Sequence, residues 1–306
     1  MAWRLHLTNQ AVQHLDIIDG RQPLLAAWSR RDRVAFYNLA NGTVVEERTL
    51  APPPADDRRS ESWQAFIGGL VTPYDAYLPS IRLANLTVLL TDDGRMRLYY
   101  TADDRLYLDN GEQEIALDMA GANSFVALAL DRFLGFSAAL DRTGRLHIYQ
   151  QHIRVGDFDL GLSVEADLAA MVAIARGGGS VFASDGRCVV LTDSSGRVRR
   201  RLDPHYTISQ MACSPDGRHL ALCDEETGVI RVYDGEDLSA GYQRFAIDLV
   251  AKAVQVQLLA EMPPPLVALK ALTIANDGTL AFAMSGVICV TDLSQLDRLP
   301  RPQTLL

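Results

Sequence analysis

Two acidic pentapeptides are the first candidates for chemistry in this chain. Residues 141–145 read DRTGR and residues 193–197 read DSSGR, and an aspartate at a turn can act as an acid or a base or can ligate calcium. Their spacing differs from that of an acidic glycosidase turn, because both pentapeptides place two residues between aspartate and glycine. No aromatic residue follows where such a turn would need one. Neither fits the D-x-[DN]-x-[DN]-G pattern of a calcium loop. We therefore expect no glycosidase and no calcium site here.

The six histidines show none of the spacings that are typical of metal ligands, such as HxxxH or HExxH. His147 alternates with apolar residues in the run RLHIY, which is typical of a strand, so we interpret it as a core or surface residue rather than as a base. Asp-Gly pairs are numerous and predict hairpin turns, because glycine supplies their positive φ. We expect no catalytic residue, no metal and no cofactor.

The four cysteines form no CxxC pair, and no histidine cluster lies beside them. A hairpin centred on Asp216 and Gly217 would place Cys213 opposite Leu220 and Cys223 opposite Gln210. The two thiols would then be too far out of register for a disulfide. We interpret all cysteines as small, reduced side chains without a bound metal.

The charge balance limits the class of partner. The 306 residues include 38 acidic and 29 basic side chains, and the net charge is −9. Nucleic-acid binders usually carry a basic excess, because they neutralise phosphates, so we expect protein partners and no nucleic acid. The N-terminal residues lack a signal-peptide core and no window is apolar enough for a membrane helix. The sequence thus predicts an acidic, cytoplasmic protein with no membrane partner.

One basic cluster stands out against this acidic background. Residues 197–201 read RVRRR, where the outer strand of a repeat unit is expected. Charged side chains on such a strand commonly block unwanted edge pairing. The alternative is an acidic partner, which makes Arg199, Arg200 and Arg201 candidate partner-binding residues.

A repeat positions these residues. Residues 212–234, ACSPDGRHLALCDEETGVIRVYD, contain three short strands and two tight turns. Similar third strands recur six times, with three neighbouring steps of about 40 residues, a period that indicates a repeat architecture. These runs are residues 33–37 (RVAFY), 105–108 (RLYL), 145–149 (RLHIY), 187–191 (RCVVL), 229–233 (VIRVY) and 287–291 (VICVT).

The unit at residues 208–234 resembles a WD40-type repeat. It has the Ser-Pro-Asp-Gly turn common in that family, and Tyr233-Asp234 stands where the family has Trp-Asp. The resemblance implies an all-β fold, a single closed β-propeller over residues 1–306 with six blades of four antiparallel strands. An alternative of seven blades holds if an insert contains four more strands. The N-terminal strand at residues 3–7 would close the last blade and remove two sheet edges.

Two inserts interrupt the repeat, near residues 51–85 and 248–265. The first has a Pro-rich, charged lead and then Trp63, Phe66, Ile67 and Leu70 at helical spacing. We predict a short surface helix there, with Trp63 and Phe66 either binding a partner or packing against the propeller. The second insert fits a helix or a strand equally well.

A non-catalytic, WD40-like scaffold for protein–protein interaction, working as a subunit of a larger complex, is the function that these patterns favour. This step from fold to function is an analogy. The alternative is an enzyme or a small-molecule binder that uses the central channel. The inner strands of residues 126–130, 171–175 and 211–214 are almost purely apolar, and they favour the scaffold.

Overall fold

A computed structural model describes most of the chain. The described residues are 3–6, 12–18, 22–29, 33–49, 80–83, 86–90, 97–100, 106–109, 114–116, 125–131, 136–150, 153–165, 167–175, 178–251, 269–284 and 287–299. The predicted site residues Trp63 and Phe66 lie outside them, as does the predicted helix that carries them.

The described residues form six antiparallel sheets, numbered here in chain order, which confirms the predicted all-β class. After the N-terminal strand β1 (Trp3–His6), sheet 1 holds β2 (Val12–Ile18), β3 (Leu24–Ser29), β4 (Arg33–Asn38) and β5 (Val44–Thr49). Sheet 2 holds β6 (Ser80–Leu83), β7 (Leu86–Leu90), β8 (Arg97–Tyr100), β9 (Leu106–Asp109) and β10 (Glu114–Ala116). Sheet 3 holds β11 (Phe125–Leu130), β12 (Phe136–Asp141), β13 (Arg145–Gln150) and β14 (Ile153–Asp159).

The remaining sheets follow the same order along the chain. Sheet 4 holds β15 (Met171–Ile174), β16 (Val181–Ser184), β17 (Val189–Thr192) and β18 (Val198–Leu202). Sheet 5 begins with β19 (Ile208–Cys213), β20 (His219–Asp224), β21 (Val229–Asp234) and β22 (Ala240–Phe245). Sheet 6 holds β23 (Leu269–Ile274), β24 (Leu280–Met284) and β25 (Val287–Thr291).

Both ends of the chain add a strand to these sheets. β1 pairs antiparallel with β25, with Trp3 opposite Val290, and so becomes the fourth strand of sheet 6. β26 (Asp297–Arg298) crosses back and pairs with β22, so it becomes a fifth strand of sheet 5. The prediction of four strands in every unit is therefore wrong for sheets 2 and 5, which each have five.

The inserts differ from their predicted bounds. Ser80–Leu83, which the prediction included in the first insert, is the strand β6. The second insert begins with the helix α1 (Ala246–Ala251), whose Leu249 and Val250 are buried. Residues 252–268 lie outside the described ranges.

The core lies between neighbouring sheets. The described contacts join β7 to β11, β11 to β15, β15 to β19, β19 to β23 and β23 to β2. Apolar side chains of adjacent sheets interdigitate across these contacts, with Phe182 and Leu220 between sheets 4 and 5 and Ile230 and Phe282 between sheets 5 and 6. Burying such side chains is the main favourable term in folding. Within the described ranges, no helix is long and apolar enough to cross a membrane.

Candidate functional site

The two acidic pentapeptides form the same turn. In each, one aspartate oxygen accepts hydrogen bonds from the backbone N–H groups two and four residues later and from the hydroxyl two residues later. Asp141 Oδ1 binds Thr143 N at 2.8 Å and Arg145 N at 3.1 Å, and Asp193 Oδ1 binds Ser195 N at 3.0 Å and Arg197 N at 3.1 Å. The carboxylates therefore cap their own turns, as short polar side chains commonly do.

The first turn leads into a buried polar cluster. His147 on β13 lies between two carboxylates, with Nε2 2.9 Å from Asp141 Oδ2 and Nδ1 2.8 Å from Asp157 Oδ1. Arg154 Nε donates to the same Asp157 oxygen at 2.8 Å. His147 and Asp141 are buried, and the ring of Phe125 packs edge-on against the imidazole. The cluster confirms His147 as a core residue, with a carboxylate neighbour at each ring nitrogen.

Protonation in this cluster is set by burial and hydrogen bonding. Burial acts to raise the pKa of Asp141, but hydrogen bonds from Thr143, His147 and Arg145 outweigh it and hold the pKa below its ordinary value. Burial lowers the pKa of His147, and the neighbouring Asp141 partly offsets that effect. A neutral imidazole has a single N–H and can donate to only one of its two aspartate neighbours. The cluster is thus a proton-linked structural network.

The second turn leads to the surface. It connects β17 to β18, the last strand of sheet 4, on which Val198, Arg199, Arg200 and Arg201 are all exposed. Arg199 Nε lies 3.8 Å from Asp193 Oδ2, a surface pair of small energy. Arg200 Nη1 donates to the carbonyl oxygen of Arg199 at 3.2 Å.

Arg201 differs from its two neighbours. Its guanidinium donates to the carbonyl oxygens of Leu160, in a short contact, and of Gly161, at 3.4 Å. It also approaches Cys188 Sγ at 3.8 Å. Arg201 therefore ties the edge of sheet 4 to the segment after β14, which leaves Arg199 and Arg200 as the predicted arginines that project for a partner.

Exposed apolar side chains concentrate on the fourth strands of sheets 1, 3, 4 and 5. We call β5, β14, β18 and β22 the outer strands. Ile153 and Val155 on β14 are 63% and 40% exposed. The other large exposed apolar side chains of the described residues are Val44, Val45, Val198 and Phe245 on outer strands, and Val126 on β11.

A cavity of about 410 Å³ lies beside the outer part of sheet 5. Its lining includes Arg218, Tyr233, Asp234, Tyr242 and Arg298, so cationic and anionic side chains are mixed. Of the predicted site residues, Arg199, Arg200 and Arg201 lie in the described part of the chain, and none of these three lines it. The described residues include no group of three or more histidine, cysteine, aspartate or glutamate side chains that could hold a metal ion.

The cysteine hairpin has the predicted register. Cys213 lies opposite Leu220 and Cys223 lies opposite Gln210, and the backbone N–H of Gly217 closes the turn on the carbonyl of Ser214 at 2.9 Å. Cys223 is buried, and burial raises its pKa to about 11. That thiol therefore stays protonated at neutral pH and is a weak nucleophile.

Two features of the structure were not predicted from the sequence. The partner of His147 on β14, Asp157, lies ten residues away and meets the imidazole only through the pairing of β13 with β14. β26 pairs with a sheet that it does not follow in sequence. One local signal could have indicated Asp157. It is a polar residue, two positions before the end of a strand, that faces a histidine across a hairpin.

Comparison with known proteins shows the fold only. No family model and no curated protein matches the sequence. The structure is similar to the crystal structure of Raptor from Chaetomium thermophilum, with a TM-score of 0.55, 11% identity, 95% of this chain covered and 25% of that chain. This chain spans about a quarter of the Raptor chain, and its membership of the WD40 family stays a prediction.

Proposed function

We propose that this chain is a closed, six-bladed, WD40-like propeller that binds other proteins as a non-catalytic subunit of a larger complex. Six sheets follow one another in chain order, the described contacts run from sheet 2 through sheet 6 to sheet 1, and β1 completes sheet 6. A closed ring of this kind packs its sheets face to face and leaves only short sheet edges.

The observation that carries the binding role is the placement of exposed apolar side chains. Six of the seven large exposed ones among the described residues lie on outer strands. Apolar groups at the surface contribute to protein interfaces, where water is released from them on binding. The net charge of −9 supports protein rather than nucleic-acid partners.

The polar groups of the described residues support a structural rather than a catalytic use. Asp141 and Asp193 cap turns, and His147 is enclosed by carboxylates and by Phe125. A base or nucleophile needs reach to a substrate. Of the strands that pack at the inner contacts, β7, β11, β15 and β19 carry no Asp, Glu, His, Lys or Arg, whereas β2 carries one histidine and one aspartate and β23 carries one lysine.

Affinity capture tests the binding role. The tagged chain is used to capture partners from a native lysate, beside a double variant, Ile153→Thr with Val155→Thr, which removes exposed apolar surface and keeps good strand formers. Val126→Thr, an exposed valine on β11, is the matched control. We expect stoichiometric partners that the double variant loses and the control keeps, with all three melting alike.

Two results would contradict the proposal. Capture of no stoichiometric partner by the wild-type chain would remove the scaffold role. Identical capture by the double variant would show that the outer strands are not the binding surface.

A further inference from the structure

Sheet 5 shows how an outer strand of this protein accepts another strand. β26 lies along β22, with Arg298 opposite Tyr242 and Asp297 opposite Gln243. The backbone N–H of Leu299 donates to the carbonyl of Gly241 at 2.9 Å. A backbone ladder of this kind is the general basis of strand addition.

A charged contact accompanies that ladder. Arg244 Nη1 on the outer strand lies 3.4 Å from Asp297 Oδ1 on the added strand. Arg244 is mostly buried by this arrangement, whereas Asp297 is exposed. The added segment is thus held by main-chain hydrogen bonds and by one arginine–carboxylate pair.

β18 resembles β22 in its backbone. In both strands the pairing with the preceding strand skips one residue, Arg199 in β18 and Gly241 in β22. The bulge in β22 does not prevent strand addition, because β26 pairs with the two residues that follow it. The corresponding residues of β18 are Arg200 and Arg201.

The outer edge of β18 is open in the part of the chain that the structure describes. Sheet 4 ends at β18, and no described strand pairs with its outer side. Four consecutive residues from Val198 are exposed. An edge of this kind presents backbone donors and acceptors to any extended chain that its side chains admit.

The side chains of β18 select by charge. Arg199 and Arg200 are exposed on adjacent positions, Arg199 as the bulge residue and Arg200 opposite Leu191. The one acidic residue paired with them, Asp193, already accepts hydrogen bonds from its own turn. Two copies of β18 would bring arginines together and repel one another, so the strand disfavours a second copy of this chain and favours an anionic segment.

We propose that β18 binds an extended, acidic segment of a partner protein as a fifth strand of sheet 4. The segment pairs with Arg200 and Arg201 as β26 pairs with Tyr242 and Gln243. Neighbouring carboxylates of the segment contact Arg199 and Arg200. This inference rests on the proposed function and specifies the chemistry of the partner.

Fluorescence anisotropy with a defined peptide tests the proposal. The probe is a fluorescein-labelled octapeptide, Ser-Thr-Val-Asp-Glu-Val-Thr-Ser, at near-physiological salt. We expect saturable binding that weakens about tenfold or more in the double variant Arg199→Glu with Arg200→Glu, because both contacts become repulsive. Arg218→Glu, the same change of charge at an exposed arginine in a turn of sheet 5, is expected to bind within about twofold of wild type.

A second peptide separates strand addition from simple charge attraction. The same octapeptide with all its backbone amides N-methylated keeps its carboxylates and loses every ladder donor, whichever alternate set of amides faces β18. We expect its binding to fall below detection. Equal binding of both peptides, or equal competition by a single-stranded oligonucleotide of matched charge, would overturn the proposal, as would dimers in sedimentation that the Arg199→Glu, Arg200→Glu variant abolishes.

The outcome is separable from that of the proposed function. Absence of peptide binding by a chain that captures partners from lysate overturns the strand addition alone. Absence of captured partners by a chain that binds the octapeptide contradicts the scaffold role and leaves the edge of β18 as a peptide site.

Discussion

The turn at residues 141–145 and the turn at residues 193–197 have the same local chemistry and opposite surroundings. Each has the pattern D-x-[ST]-G-R, a carboxylate that accepts three hydrogen bonds and a glycine at positive φ, +80° in Gly144 and +76° in Gly196. The first lies inside sheet 3 and supplies its second oxygen to His147. The second lies at the edge of sheet 4 and faces the exposed Arg199.

The difference shows that the turn motif determines the backbone shape, whereas the surrounding residues determine what the second carboxylate oxygen contacts. Where the next strand is central in the sheet, that oxygen joins a buried network. Where the next strand is an outer strand, the oxygen meets a solvated arginine. The side chain of Asp141 is 2% exposed and that of Asp193 is 21% exposed, and this contrast decides how much each turn should contribute to stability.

Replacement of His147 by leucine should have the largest effect. The variant leaves the buried carboxylate oxygen Asp141 Oδ2 without its hydrogen-bond partner, and an unsatisfied buried acceptor that carries a charge typically costs about 3 kcal/mol or more. Urea denaturation of wild type and His147→Leu measures the change. Asp157→Asn is the control, because the amide can still hydrogen-bond to the imidazole, and we expect about 1 kcal/mol. A cost for His147→Leu below that of the control would show that the network is not structural.

Replacement of the turn glycines should follow the same order, with the larger loss of stability in the buried turn. A Cβ at Gly144 would overlap the carbonyl oxygen of Leu162, which belongs to backbone, whereas a Cβ at Gly196 would overlap the ring of Phe158, which can rotate away. Both substitutions also strain a positive φ. We expect Gly144→Ala to cost about 3 kcal/mol and Gly196→Ala about 1 to 2 kcal/mol by the same denaturation assay. Equal costs would mean that φ strain alone decides the penalty.

The sequence predicted what is local in this comparison. Glycine after a polar residue predicts a tight turn, and alternation of apolar residues predicts the strands, because both depend on residues a few positions apart. The register of Cys213 and Cys223 followed from one such turn. The surroundings of His147 were not predictable, since Asp157 reaches it only after β14 pairs with β13 across a register shift. The β26 to β22 pairing joins residues more than fifty positions apart, and local patterns carry no information on it.

Acid should distinguish the two aspartates. Hydrogen bonds that outweigh burial hold the pKa of Asp141 below its ordinary value. The stability that follows from a depressed pKa is fully present above the pKa of the unfolded state, about 3.9, and is lost as pH falls through the pKa of the folded state. The melting-temperature gap between wild type and Asp141→Asn should therefore stay constant from pH 7 to about pH 4 and shrink as the pH falls further. Asp193 also has a lowered pKa, chiefly through its hydrogen bond with Ser195, but its exposure makes us expect a smaller gap in Asp193→Asn. A gap for Asp141→Asn that also stays constant below about pH 4 would contradict the assignment.

The smallest changes in stability should come from the arginines that follow the second turn. They show whether the side chains of β18 contribute to the stability of the fold. Arg201 donates to two carbonyl oxygens of the segment after β14, and its replacement by alanine should cost about 1 kcal/mol, since charged hydrogen bonds near a surface are worth little more than that net of solvation. Arg199 lies 3.8 Å from Asp193 and is about half exposed, so Arg199→Ala should change stability by less than about 0.5 kcal/mol. The two variants differ only in position along one strand, which makes each the control of the other in thermal melts at high and low salt. A loss of stability in Arg199→Ala as large as that in Arg201→Ala would mean that Arg199 also makes stabilising contacts within the sheet. The distinction between a buried turn and a surface turn would then not extend to the strand that follows the turn.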